Sequence, residues 1–437
     1  MPTASARSDL RPPALRVRWL IFSGVFAAAF TCYLERSAMS VVAAQMMPET
    51  GITQVQLGYL FNAFLLTYTV LQYPGGLLAQ RIGARRATLG CLVVSTLGTA
   101  ATAFAPAIAA GAALLVTLGA ARALTGAAQG PLFPSNAGLV QAWFPPRRWA
   151  LMNGLQVTGL SMGAAAAPPI VAGIMQAYGW QAALYATCVP TSVLAVLWWR
   201  HVRDTPRAHR SVVPAELAEI EPEPRSTSAP RISWSEVRLV LGNRNVLLLS
   251  LGYLLMNYVF YFFMQWSFLY LVQERHLTLL KSGWLAAIPL LVGSICASLG
   301  GLLCDAACQR FGARWGFRIV PLVVLPLSAL LLMVAVRAEN PYAAVAALAG
   351  CFGCAQMTEA PFWAAAFWVA RERASAATGV LNMGGNLGGM IGTPIVALLT
   401  QAHDWPAAFA TGVAFALASA ALWLLIDVER RPLTTAR

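Results

Sequence analysis

Apolar windows of about 20 residues, the length of helix that crosses a ~30 Å hydrocarbon core, recur along this chain with short polar breaks between them. They fall near 18–46, 53–79, 87–107, 111–140, 149–177, 180–199, 245–273, 279–304, 317–336, 341–370, 375–401 and 406–426. With 58% hydrophobic and 11% charged residues over 437 positions, the chain lacks the charge that a water-facing surface of this size needs. The pattern predicts an all-α membrane protein of twelve transmembrane helices. Several windows exceed 20 residues and hold proline (Pro74, Pro131, Pro134, Pro168, Pro169, Pro289, Pro361, Pro394), so tilted or kinked helices are expected. The first window follows Arg7, Arg11, Arg16 and Arg18, is longer than a signal-peptide core and shows no clear cleavage site, which reads as a retained span.

A formal charge of +13 raises the question of nucleic acid. Its distribution answers it. With the N-terminus placed in the cytoplasm, all but five of the 30 Lys and Arg fall on the cytoplasmic side; Arg275, Lys281 and Arg337 lie outside, and Arg36 and Arg122 lie within spans. That skew is the positive-inside pattern, with both termini cytoplasmic, so the basic excess reads as topological and no nucleic-acid partner is expected. The eight cysteines lie in or at the ends of apolar segments, so no disulfide framework is implied. Cys351 and Cys354 form a CxxC without a second pair or a nearby His, which suits helix packing better than a metal or redox site. No metal and no cofactor is expected.

Shifting the sequence by 225 residues aligns its halves. Tyr33 falls on Tyr258, Gly58 on Gly283, Trp143 on Trp368, and Arg148 on Arg373. Gly154, Gly159, Gly163, Pro169, Ile170, Val171 and Trp180 fall on Gly379, Gly384, Gly388, Pro394, Ile395, Val396 and Trp405. An offset of six helices preserves orientation, so the halves are parallel repeats related by an axis along the membrane normal, an arrangement suited to transport through a shared midplane site. Residues 1–200 and 244–437 are the two expected six-helix bundles. Residues 201–243, rich in Pro, Glu and Ser, read as a solvated cytoplasmic linker. Within it, Ser233 and Glu236 fit a capping box opening a short amphipathic helix.

GGLLAQRIGARR (75–86) resembles the loop signature between helices 2 and 3 of the major facilitator superfamily, and GGLLCDAACQRFGAR (300–314) its degenerate second copy. RALTGAAQG (122–130) resembles the arginine motif of helix 4. YLERSAMSV (33–41), YTVLQYPGG (68–76), FPSN followed by WFPPRRWALMNG (133–154), and TGVLNMGGNLGGMIGTPI (378–395) are similar to the anion:cation symporter branch, whose members carry galactonate, hexuronates and other organic anions. The resemblance covers nearly the whole chain. It implies a secondary transporter of the bacterial inner membrane that imports an organic anion with protons by alternating access and acts as a monomer. It also implies a gating role for Arg81, Gly83 and Arg85, and for Asp305 and Arg310 in the second copy. Gln80 stands where the superfamily usually has Asp, so the aspartate contact to a helix dipole falls to Asp305 alone.

A guanidinium at mid-membrane costs roughly 2.5–3.5 kcal/mol and cannot escape by losing its proton, so Arg36 and Arg122 require an anion nearby. Arginine also offers a planar fork that grips a carboxylate through two hydrogen bonds. Arg36 shares a helix face with Tyr33 and Ser40, and Arg122 a stripe with Gln129 and Asn136. The plainer role for Arg36 is neutralisation by Glu35, although adjacent residues on a helix do not face each other; for Arg122 it is bracing helix 4. Coupling needs a group that exchanges a proton, and the candidates are Glu35 and Glu359, the acids deep within spans. In proton-coupled relatives an acid stands seven residues after the helix 4 arginine; here that position is Gln129, which can bond a substrate but carries no proton. Tyr258, Tyr261 and Gln265 on helix 7, Trp363 on helix 10, Asn382 and Asn386 on helix 11, Tyr68 on helix 2 and Gln156 on helix 5 complete a ring of polar groups suited to a polyhydroxylated acid. Helix-to-helix bonding is the competing role for Asn386 and for Glu359. The rivals are a proton-independent uniporter or exchanger, a multidrug efflux antiporter, which two buried Arg against two Glu do not support, and a transport-dead membrane sensor, for which no signalling domain fits; a membrane enzyme is disfavoured because no His cluster, Asp-rich metal motif or nucleophile elbow appears.

Overall fold

In a computed structural model the structure describes residues 17–145, 148–220, 234–370, 373–402 and 404–429. These residues form helices α1 (Val17–Thr50), α2 (Gln54–Ile82), α3 (Ala84–Ile108), α4 (Gly111–Gln129), α5 (Leu132–Trp143), α6 (Trp149–His201), α7 (Pro214–Ile220), α8 (Trp234–Leu241), α9 (Arg244–Gln273), α10 (Leu279–Arg337), α11 (Pro341–Gln356), α12 (Glu359–Ala370), α13 (Ala374–Gln401) and α14 (Trp405–Leu425). Nine segments among the described residues are long and apolar enough to cross a membrane. Two of them, in α6 and α10, run 51 and 59 residues and bend sharply at Gly179 (φ 84°) and Gly312 (φ 75°), so each supplies two spans. Only glycine takes that left-handed backbone without strain. Adding α2, which is more polar but 29 residues long, gives the twelve spans. The fourth and tenth are each made of two helices, α4 with α5 and α11 with α12, broken at Gly130–Pro131 and at Met357–Thr358.

Caps fix several starts. The Thr53 hydroxyl accepts from the Gln56 amide while the Gln56 side chain accepts from the Thr53 amide, a closed capping box at α2. Asn243, Asn340 and Asp404 cap α9, α11 and α14.

We call the end of the molecule that holds the turns at 51–53 and 274–278 the distal end, and the other the linker end. In the distal half one buried core runs through both bundles, with Met46, Phe61, Trp180, Trp266, Tyr270 and Trp405 in it. Toward the linker end it splits into separate cores, one around Trp143 and Trp198 in the first bundle and one around Phe362 and Trp423 in the second. The seams between bundles obey the 225-residue repeat. Gly58 of α2 lies against Ala397 of α13, where an added Cβ would meet that side chain at 2.9 Å; Gly283 of α10 lies against α6, where it would meet the Pro168 carbonyl at 2.7 Å. Hydrogen bonds Gln54–Gln273, Val55–Gln401 and Asn62–Met390 tie the same distal half together.

The linker departs from the solvated segment expected of it. Glu216 of α7 accepts from the free amides of Val17 and Arg18 at the start of α1, 3.2 and 3.0 Å away, and Ile220 is fully buried. The cause is the unpaired N–H groups and positive dipole end of a long helix, which reward a carboxylate placed there. α8 forms where the amphipathic helix was expected. The Ser233–Glu236 box and Arg7, Arg11 and Arg16 lie outside the described residues or side chains.

Candidate functional site

Where α1, α2, α4 and α9 converge at mid-molecule they leave a small cleft. Arg36, Ser40, Arg122 and Gln265 line it together with Phe61, Phe64, Tyr261 and Met264. Arg36 donates to the Tyr33 hydroxyl at 3.2 Å and to the Tyr261 hydroxyl at 3.0 Å. Tyr261 in turn donates to Asn386 Oδ1 at 3.0 Å. The guanidinium carbon lies 4.9–5.6 Å from the ring centres of Phe64, Tyr33, Tyr68 and Tyr261, so the cation sits in an aromatic cage. Arg122 is 2% exposed, lies 4.9 Å from the same Phe64 ring, and its Nε has no partner. Among the described residues neither arginine forms an ion pair; the two that occur, Arg18–Glu219 and Arg314–Asp427, lie at the linker end.

Glu35 turns away from its neighbour. Its carboxylate, fully buried, accepts from Ser95 at 2.5 Å, Thr96 at 3.3 Å and Thr99 at 3.5 Å, all on α3. Gln129 belongs to the same network: its amide donates to Ser95 Oγ at 2.9 Å and to the Cys32 carbonyl at 3.3 Å. The pairing of Glu35 with Arg36 is therefore not made, because residues one apart on a helix point about 100° from each other. Asn136, expected in one stripe with Arg122 and Gln129, lies beyond the Gly130–Pro131 break and accepts from Thr88 instead.

The other expected groups divide. Tyr68 stacks on Phe64, its ring centre 5.9 Å away, and Gln265 accepts from Thr393 at 2.5 Å at the rim of the cleft. Asn382 donates across the bundles to Gln72 at 2.8 Å, and Asn386 keeps a buried, unpartnered Nδ2. Gln156 is 3% exposed with an unpartnered Oε1 but is not part of the cleft wall. Glu359 accepts from Tyr253 at 2.6 Å and from Trp363 at 3.0 Å, so Trp363 serves this acid and does not line the cleft. Tyr258 points elsewhere too: it stacks on Phe415 at 4.3 Å, bonds Thr411 and packs over Gly392. Ser95, Thr96, Thr99, Phe61, Phe64 and Tyr253 were not singled out from the sequence; the hydroxyls at 95 and 99 do share a helical face, the one signal available.

Of the expected gating residues, Gly83 (φ 91°) packs on Asp204, and the Arg85 amide donates to Asp204 Oδ1 at 2.7 Å. Arg85 also donates to the Trp199 carbonyl at 2.5 Å. Arg81 and Arg310 are exposed. Asp305 is exposed as well and makes no hydrogen bond or ion pair among the described residues, so the helix-dipole contact expected of it is not made here. In the second bundle the Asp427 carboxylate lies 3.7 Å from Arg314.

Two repeated bundles of six apolar helices around a cationic midplane cleft define a transport protein. The chain belongs to the Major Facilitator Superfamily, whose family model matches residues 25–308 and 283–437. It is a transporter and not an enzyme. It is 28% identical over 435 residues to the D-galactonate transporter of Escherichia coli, covering 95% of this chain and 97% of that one. The hexuronate transporter of Bacillus subtilis is 27% identical over 381 residues, with 86% of each chain covered. The solved structure of a bacterial homologue of the human lysosomal transporter Spinster, at 15% identity, superposes with a TM-score of 0.74 over 98% of this chain and 100% of that one, which supports the fold. The two sequence relatives are both named as transporters of small organic acids.

Proposed function

We propose that this chain imports an organic anion, a sugar acid or related carboxylate, by proton symport through alternating access between bundles 1–200 and 244–437. The observation that carries the reading is a pair of buried guanidiniums facing one cleft with no protein carboxylate on either. Buried charge left unpaired in a membrane domain awaits a partner. Arg36 and Arg122 take the acid, and Tyr33, Tyr68, Tyr261, Gln265 and Asn386 orient its hydroxyls. Gln129 and Asn382 hold the surrounding helices. The protein sits in the bacterial inner membrane as a monomer with both termini cytoplasmic, and residues 201–243 link the bundles. The core shared in the distal half and split toward the linker end supports a state open to the cytoplasm.

Glu35 or Glu359 carries the proton. A proton-independent exchanger is the second reading, favoured by Gln129 and by the hydroxyls that already satisfy Glu35. Uptake of labelled sugar acids and other carboxylates into proteoliposomes, with and without an inward proton gradient, separates them: symport predicts accumulation with the gradient alone. Glu35→Gln should keep counterflow exchange and lose gradient-driven accumulation. Full accumulation by this variant would move the role to Glu359, and uptake indifferent to the gradient would reject coupling.

A further inference from the structure

The two guanidiniums set a charge requirement on whatever the cleft holds, a point that rests on the anion-site reading above. Arg36 donates to two uncharged phenol oxygens and is wrapped by four rings; Arg122 has Phe64 alone and donates to no described acceptor. The nearby acids are engaged elsewhere. Glu35 is within electrostatic range of Arg122, but its oxygens accept from Ser95, Thr96 and Thr99. Glu359 is held by Tyr253 and Trp363. Gln129, two turns along from Arg122, is neutral and its N–H groups go to Cys32 and Ser95.

We infer that the cleft is built for a dianion: a short polar chain with an acidic group at each end, one on Arg36 and one on Arg122, with Arg122 the residue that selects the second. One carboxylate shared by both forks would leave one guanidinium without a directly bonded acid, since Glu35 is held by the α3 hydroxyls, whereas two acidic groups give each fork its own partner. The Arg122 Nε is buried and has no hydrogen-bond partner among the described residues, so the protein itself does not satisfy this donor.

Matched pairs test this directly. Galactarate and galactonate, glucarate and gluconate, and succinate and butyrate differ by one terminal carboxylate, and each carboxylate is ionised at pH 7.5. Titration calorimetry on the full-length protein in detergent should show the dicarboxylate of at least one pair binding about tenfold or more tightly than its mate. Arg122→Gln should lower that dicarboxylate's affinity about tenfold more than the mate's. Monocarboxylates that bind as well as their mates would overturn the dianion and leave the anion site standing, and so would equal losses in the variant. If no pair binds, the anion reading falls with it. Should Arg122→Gln fail to fold, the wild-type comparison decides.

Discussion

The two bundles share a scaffold and divide the chemistry. At equivalent positions, Arg36 faces Tyr261, Glu35 corresponds to Phe260, Arg122 to Ala347 and Gln129 to Cys354, while Ser40 and Gln265 both line the cleft. The helix packing is repeated closely: Trp198 and Trp423 are mates, each buried in its own bundle's core. The charged binding groups are not repeated. Duplicating a guanidinium at an axis would bring two like charges together in a low-dielectric site, so one copy of the position keeps the charge and the other a hydroxyl that bonds it.

The sharpest way to break this division is to remove the charge from its one copy. Arg36→Ala should lower transport by at least about thirtyfold, the cost of deleting one member of a buried charge pair. The same uptake assay on normally inserted protein checks it, and unchanged uptake would take Arg36 out of the site. The two seam glycines sharpen the comparison on the packing side. Gly283→Ala puts its methyl against a backbone carbonyl that cannot move aside, and Gly58→Ala against a side chain. Overpacking predicts a loss of about 1–3 kcal/mol, larger at Gly283 than at Gly58, measured as thermal unfolding in detergent. Tyr261→Phe, which removes the neutral mate's hydroxyl from both Arg36 and Asn386, should weaken anion binding only about three- to tenfold.

The smallest expected effect is in the linker, which has no counterpart in the repeat. Burial and the neighbouring Arg203 hold the His209 imidazole below its usual range. The proton therefore binds more readily to the undocked segment, and docking is strongest above the ordinary histidine pKa near 6.5 and weakens as pH falls below it. Limited proteolysis of the 202–220 segment should run faster at pH 5.5 than at pH 7.5, and His209→Gln should flatten the difference.

Much of this was legible in the residues. Twelve windows, the repeat and the two arginines follow from hydropathy and offset, because bilayer thickness and buried charge act on one helix at a time. What a helix meets across a gap is not written on that helix. Tyr258 shares a spacing with Tyr261 and Gln265, yet Gly392 opens room for its ring on the far side. Glu35 sits beside Arg36 in the chain, and only the placement of α3 shows that three hydroxyls hold it. Asp204 became visible as the partner of Arg85 only once the turn at Gly83 was built.

The hydrogen bond between Arg36 and Tyr261 joins residues exactly one repeat apart, and such mates meet beside the axis that relates the halves. If the halves seesaw, atoms near that line travel least while the two mouths swing widely. The bond then works as a fulcrum, letting a passenger stay gripped while the doors on either side change places.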